Sequence, residues 1–307
     1  MYNGIINVYK EKGFTSHDVV AKLRGILKQK KIGHTGTLDP DAVGVLPVCL
    51  GSGTKLCDMI TDRDKIYEAV LRLGIDTDTQ DISGKVLREY GDTEAMRFKV
   101  SDEEIRKAAA GFTGAYEQLP PMYSAIKVNG RKLYEIAREG KEIERKTRQV
   151  SIYSIQIQSI EFPRVKMRVE CSKGTYIRTL CKDIGDKLGI FGCMEELARI
   201  KSGPFSVEDA IKLSDIEEAV EKGNIRSYII PVEKMFEEYR AVTVTQKFDS
   251  FLRNGNPLYP DMLKPQGEGL WKDKEQVRVY DSQEKFRAVY TYDNSKKILK
   301  AFKMFDL

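Results

Sequence analysis

One stretch of the chain gathers the residue types that acid–base or nucleophilic chemistry on a bound ligand requires. It reads Gly33-His34-Thr35-Gly36-Thr37-Leu38-Asp39-Pro40-Asp41-Ala42-Val43-Gly44. Gly and Thr around a carboxylate suit a backbone held close to a ligand. Pro40 drives Asp39 out of helical geometry, so its carboxylate heads a rigid turn. Local chemistry leaves two readings open: a carboxylate presented to a ligand, or an Asx-turn and nothing more. Four other patterns hold reactive residue types without the geometry to use them. Ser124-Ala-Ile-Lys127 has the spacing of a Ser/Lys acyl enzyme but lacks the S-D-N and K-T-G that complete one. Ser16-His17-Asp18 holds triad residue types, yet neighbours on a helix point apart. Asp76-Thr-Asp-Thr-Gln-Asp81 opens like a calcium loop and then puts Asp81 where Gly is needed. Gly51-Ser-Gly-Thr-Lys55 lacks phosphate-loop spacing.

The elements that must position such a loop can be read around it. Asn3 to Tyr9 is rich in Ile and Val and reads as a strand, with a turn at Gly13. Thr15 or Ser16 can cap a helix carrying Val19, Val20, Leu23, Ile26 and Leu27 on one face. Residues 33–54 read as a Gly/Thr-rich loop passing into an apolar segment, and Tyr67 to Leu73 as a strand. Ser101 with Glu104 makes a capping box for a helix ending near Gly111. Val165, Met167, Val169 and Cys171 alternate with charged residues, as in a half-buried strand. Ile177, Leu180, Cys181, Ile184 and Leu188 then share one helical face, closed by Gly189. Strands and helices mixed without regular alternation favour an α+β fold. Past residue 235 come a short strand at Val242 and Val244, a helix at Phe248 to Leu252, and strands at 277–281, 286–293 and 297–304. The expected domains are therefore 1–235 and a β-rich 236–307, with a basic insertion at about 111–150.

The 307 residues are 41% hydrophobic and 32% charged, which fits a folded chain with a real core. The longest apolar run, Ala42 to Leu50, is interrupted by Gly44 and Pro47 and falls far short of the roughly 20 residues that span a bilayer. With no secretory pattern at Met1-Tyr2-Asn3-Gly4, the expectation is a cytoplasmic protein that meets no membrane. Five cysteines without a C-x-x-C pair read as reduced thiols, and two histidines offer no metal-ligand spacing, so no metal is expected. The net charge of +5 hides an asymmetry: residues 1–31 carry seven Lys/Arg against Glu11 and Asp18, residues 124–150 eight against four Glu, while 207–240 are acidic. Several basic segments in a near-neutral chain suggest one cationic surface for a phosphate-rich partner.

Taken together, the motifs resemble those of the bacterial tRNA pseudouridine-55 synthases, the B-type family of pseudouridine synthases. The resemblance runs through Asn7-Val-Tyr-Lys10, Gly13 to Val20, the Asp39 segment, Lys65-Ile-Tyr67, Gly74 to Gly84, Gln118 to Lys127, Leu133-Tyr-Glu135, Cys171 to Arg178 and Leu197 to Phe205, in order. It implies an isomerase that flips a T-arm uridine out of tRNA, detaches the base at N1 and rejoins it through C5. That reaction is redox-neutral and needs no cofactor. The resemblance puts Asp39 in the catalytic role, with Arg178 as its charge partner and Tyr67 stacked on the base. Tyr176 and Leu197 would wall the pocket, and His34 would fill the gap left in the RNA. Lys12, Lys127 and Arg131 would grip the RNA, and the C-terminal unit looks like a PUA-type module for the acceptor end of tRNA. A monomer is expected. Glu11 stands where relatives often carry Pro, and Ala198-Arg199-Ile200 where two Arg and a Thr are common; altered RNA contacts are all that these departures imply. The competing readings are a catalytically silent tRNA-binding or folding factor, a guide-RNA-dependent relative, and a Ser124/Lys127 acyl enzyme.

Overall fold

The computed structural model describes residues 1–128, 130–265 and 270–306. Its frame is a nine-stranded sheet, of which seven strands run in the order Gly4–Lys10, Val43–Leu50, Gly192–Ser202, Lys65–Leu73, Arg164–Cys171, Arg148–Glu161 and Gly114–Gln118. Ile32–His34 pairs with Val43–Leu50, and Phe205–Ser206 with Gly192–Ser202, to complete it. The ladders are antiparallel except where Ala198 and Arg199 run parallel to Val43 and Gly44. The mixed α+β reading therefore holds. Lys65–Leu73 alternates buried and half-buried side chains along its whole length, as its sequence pattern requires of a strand covered on one face.

Both expected helix caps are present. Thr15, rather than Ser16, caps Ser16–Ile26 and exchanges hydrogen bonds with Asp18, and Ser101 does the same with Glu104 for Asp102–Ala110. The apolar segment after residue 42 is the strand Val43–Leu50, even though it contains Pro47. Pro47 faces Asn7 in the ladder, and the Asn7 carbonyl takes its hydrogen bond from the Ile211 amide instead. The missing proline N–H is thereby no loss. The stretch expected as an RNA-binding insertion begins and ends on sheet strands: Gly114–Gln118 pairs with residues 148–152, so the excursion between them spans 119–147. Within it, Lys127–Val128 and Arg131–Lys132 form a two-strand ribbon. Residue 129 lies outside the described residues.

The C-terminal strands Arg240–Thr243, Gln276–Tyr280, Phe286–Asp293 and Ile298–Met304 form a separate four-stranded sheet, close to the bounds read from sequence. Its interface with the large sheet is apolar: Ile5, Val45, Cys49, Leu56 and Phe205 share one buried cluster with Phe236, Phe286 and Phe305. All five cysteines are free; four are buried and Cys57 is half-buried.

Candidate active site

The loop around Asp39 is tied down from several elements at once. Its entry is held by Thr35, fully buried, whose amide and hydroxyl both donate to the Pro47 carbonyl at 3.1 Å. Ser16, from the start of the first helix, accepts the Leu38 amide at 2.9 Å. The Gly13 amide donates to the Pro40 carbonyl at 2.9 Å, and the Ala42 amide to the Asp39 carbonyl at 3.1 Å. Lys10, with no exposed surface, points its ammonium at the carbonyls of Pro40 (3.0 Å) and Ala42 (2.6 Å), on either side of Asp41 and just after Asp39. Burial pulls the Lys10 amine down to about 8, with Asp39 the strongest influence in the other direction.

Asp39 meets Arg178 in two-point geometry. Nε lies 3.0 Å from Oδ2, and Nη2 donates to Oδ1 at 3.2 Å. Arg178 leaves the first turn of helix Ile177–Lys187 with its side chain only 7% exposed, whereas that of Asp39 is 34% exposed. The pair thus presents a partly exposed carboxylate on a buried guanidinium. The rest of the fork is also used: Nη1 donates to the Thr79 carbonyl at 3.1 Å and lies 3.4 Å from Asp81 Oδ2, and Nη2 donates to the Tyr123 carbonyl at 2.8 Å. Burial lifts the Asp39 carboxyl above its ordinary value; Arg178 is the largest influence holding it down, and the Asp81 charge adds to the rise.

Tyr67 stands on the central strand Lys65–Leu73, opposite Val169 on one side and Arg199 on the other. It is buried, which raises its phenol pKa and keeps it neutral. Leu197, half-buried on the neighbouring strand, packs on the same core cluster as Tyr67, Leu38 and Ala42. Tyr176 is the residue before helix Ile177–Lys187, and the Gln118 amide clamps its backbone from both sides, accepting from its N–H at 2.8 Å and donating to its carbonyl at 3.0 Å. His34, half-buried, ends the strand Ile32–His34 that leads into the Asp39 loop, and burial together with the Arg199 charge keeps its imidazole below the ordinary value. Asp39, Tyr67, Leu197 and His34 are therefore supplied by strands and loops of one sheet, and Tyr176 and Arg178 by the start of helix Ile177–Lys187. Lys12, Lys127 and Arg131 are exposed, Lys12 on the first turn beside Gly13 and the other two on the 127–132 ribbon; Arg131 is already engaged by Glu139.

Residues 24–177 match a family model described as TruB family pseudouridylate synthase (N terminal domain), and residues 178–237 match one described as tRNA pseudouridylate synthase B C-terminal domain. The chain belongs to the TruB family. It is 51% identical over 311 residues to the tRNA pseudouridine synthase B of Lachnoclostridium phytofermentans, which covers 99% of each chain. The protein of that name from Clostridium tetani is 48% identical over 253 residues, 82% of this chain and 84% of its own. Among solved structures, that of a Cbf5-Nop10-Gar1 complex superposes with a TM-score of 0.71 at 28% identity, covering 99% of this chain and 85% of that chain. An H/ACA RNP bound to a substrate RNA containing 2'-deoxyuridine gives 0.70 at 26%, with the same coverage.

Three residues of this TruB-family site were not read from sequence. Asp81 belongs to the rejected calcium-like run. Its Oδ1 accepts from the Thr79 hydroxyl and from Ser83, building a tight turn whose Oδ2 and neighbouring carbonyl hold Arg178. Ser16, from the rejected triad, pins the loop rather than attacking anything. Arg199 lies in the triplet expected to alter RNA contacts at most. Its side chain is 1% exposed and donates to the carbonyls of Val45 (2.7 Å) and Gly36 (3.2 Å). The departures at Ala198 and Ile200 therefore flank a residue of the site floor. A Gly-rich loop next to an Arg of apolar surroundings was the only available signal for it.

Proposed function

We propose that this chain isomerises the T-arm uridine at position 55 of tRNA to pseudouridine. The observation that carries the reading is the two-point Asp39–Arg178 pair on a loop pinned from several elements, in a chain whose relatives of matching length are named tRNA pseudouridine synthase B. In the reaction the C1′–N1 bond breaks, the base turns, and a C1′–C5 bond forms. C5 gives up its proton and N1 regains one, so nothing is oxidised and no cofactor is consumed. Asp39 supplies the carboxylate that acts on the ribose or the base, and Arg178 aims it and favours its charged form.

A stacked uridine is out of reach, and flipping it costs a few kcal/mol, recovered by pocket stacking and phosphate contacts. Neutral Tyr67 offers a ring to the base without competing for its proton, with Tyr176 and Leu197 as walls. His34, held neutral, enters the gap that the base leaves. Lys12, Lys127 and Arg131 contact phosphates around the T-arm. In this reading residues 1–235 are the catalytic unit, and residues 236–307 are a PUA-like module for the acceptor end. The protein acts as a monomer in the cytoplasm. The test uses tRNA transcript tritiated at uracil C5, mixed with purified protein alone. Release of about one equivalent, mapped to the T-arm uridine and lost in Asp39→Asn, supports the proposal. Tight binding of tRNA without release would replace it by the silent-factor reading.

A further inference from the structure

Arg199 is the largest fully buried side chain among the described residues; its fork bonds the carbonyls of Val45 and Gly36, it also hydrogen-bonds the Tyr67 hydroxyl, and none of these described partners is a carboxylate. A buried guanidinium without a counter-charge is costly, so its retention calls for a cause. Its surroundings make the cost higher still, because Lys10, Lys65 and His34 all feel its charge. The cause lies in where it sits. Along its strand Arg199 pairs with Tyr67 on one side and with Gly44 on the other, so it joins the strand of Tyr67 to the strand that leaves the Asp39 loop. Its side chain then reaches back to Gly36 and Val45, one before Asp39 and one after it. The fit tolerates nothing larger at Gly44, where a Cβ would come within 2.3 Å of the Arg199 carbonyl oxygen.

Resting on the function proposed above, we infer that Arg199 is a positioning residue of the isomerisation. Its fork clasps the Gly36–Val45 segment to the strand of Tyr67, so that Asp39 and Tyr67 keep one spacing when a flipped base enters. Its charge acts on the same loop, adding to the burial that lowers the His34 imidazole below its ordinary value. Fork and charge are separable: Arg199→Lys keeps the charge and loses the two-carbonyl span, and Arg199→Met loses both.

The experiment measures single-turnover rates and tRNA affinity for both variants, and the titration of His34 by imidazole NMR. The chain has two histidines, so His17→Gln assigns the signals. The charges facing His34 are those of Arg199 and His17. For Arg199→Lys the rate falls by about 100-fold, the cost of misplacing reacting groups by about 1 Å. Its tRNA affinity stays within about threefold, since the interaction serves the transition state and not binding. His34 titrates as in the native protein in Arg199→Lys and at higher pH in Arg199→Met. A native rate in Arg199→Lys, or a loss that disappears once the assay temperature is set equally far below each variant's melting point, would overturn the positioning role. Unchanged His34 titration in Arg199→Met would overturn the electrostatic one. Should Arg199→Met not fold, Arg199→Gln, which also removes the charge, is titrated instead, with the same rise expected for His34 and an unchanged titration overturning the electrostatic role. A native protein that binds tRNA without turning it over refutes the proposed reaction, and the NMR titration then still decides whether Arg199 governs the loop.

Discussion

Replacing Arg178 by lysine keeps the positive charge beside Asp39 and removes the fork, which separates attraction from aim. The native guanidinium makes five contacts: two with Asp39, and one each with the Thr79 carbonyl, the Tyr123 carbonyl and Asp81. A lysine ammonium has three donors at a single point, so at least two of the five are lost. Hydrogen bonds to charged groups are worth roughly 1.5–3 kcal/mol each, so the loss comes to about 3 kcal/mol or more. If that falls on the aim of Asp39, it corresponds to a rate about 100-fold lower. The assay is tritium release under single-turnover conditions with enzyme in excess. Affinity for tRNA should change little, because the Arg178 side chain is 7% exposed and offers the RNA almost no surface. The same substitution in an Asp39→Asn background should cost almost nothing further, since the pair acts as a unit. Arg178→Lys turning over within about threefold of the native rate would refute the reasoning.

Burial raises the Asp39 carboxyl and the Asp81 charge raises it further, so activity that needs the carboxylate should fall as pH drops through a value above the ordinary one. Asp81→Asn removes a neighbouring negative charge, and a pH–rate profile should show the acid limb moved to lower pH. Lys127→Ala should reduce the salt slope of tRNA binding by about 0.7–0.9 if that side chain meets one phosphate, as read from affinities across a salt series. Arg131→Ala should cost less than an unpaired contact would, because Glu139 already engages it and exposed pairs are worth only about 0–1 kcal/mol. Gly44→Ala meets both a positive φ of 103° and the Arg199 carbonyl at 2.3 Å, and should destabilise by about 3 kcal/mol or more in urea unfolding. Gly13→Ala, at φ 88° with nothing within 4 Å, should cost about 1–2 kcal/mol from strain alone.

What could be read in the sequence was whatever is encoded locally. The Asp39 turn, the helix cap at Thr15 or Ser16, the capping box at Ser101 and the alternation of Val165 to Cys171 all depend on near neighbours, and all are found, with Thr15 as the cap. The 14-residue strand Arg148–Glu161 escaped notice because register shifts after Ile152 and Ile157 break its period of two. Strand order could not be read either, since it depends on contacts between distant segments. The same blindness hid part of the site. Asp81 and Arg199 look like surface charges in sequence, and only the fold places one beside Arg178 and the other under Tyr67. Ser16 and Asp81, from within patterns rejected as catalysts, instead position the residues proposed to do the chemistry.

The aromatic seam between the two sheets has a mechanical consequence. Phe286 lies 5.5 Å from Phe305 and 6.1 Å from Phe236, ring centre to ring centre, and all three sit against Val45 and Cys49 of the strand that leaves the Asp39 loop. Each buried phenylalanine contributes about 1.5–3 kcal/mol, so hinging the small sheet away from the large one would expose a costly apolar face. The C-terminal sheet is therefore a fixed arm and not a tethered one. For the tRNA-binding role proposed above for residues 236–307, that rigidity makes the two sheets a ruler whose zero is the Asp39 loop, and a tRNA whose arms lie at another separation should bind more weakly.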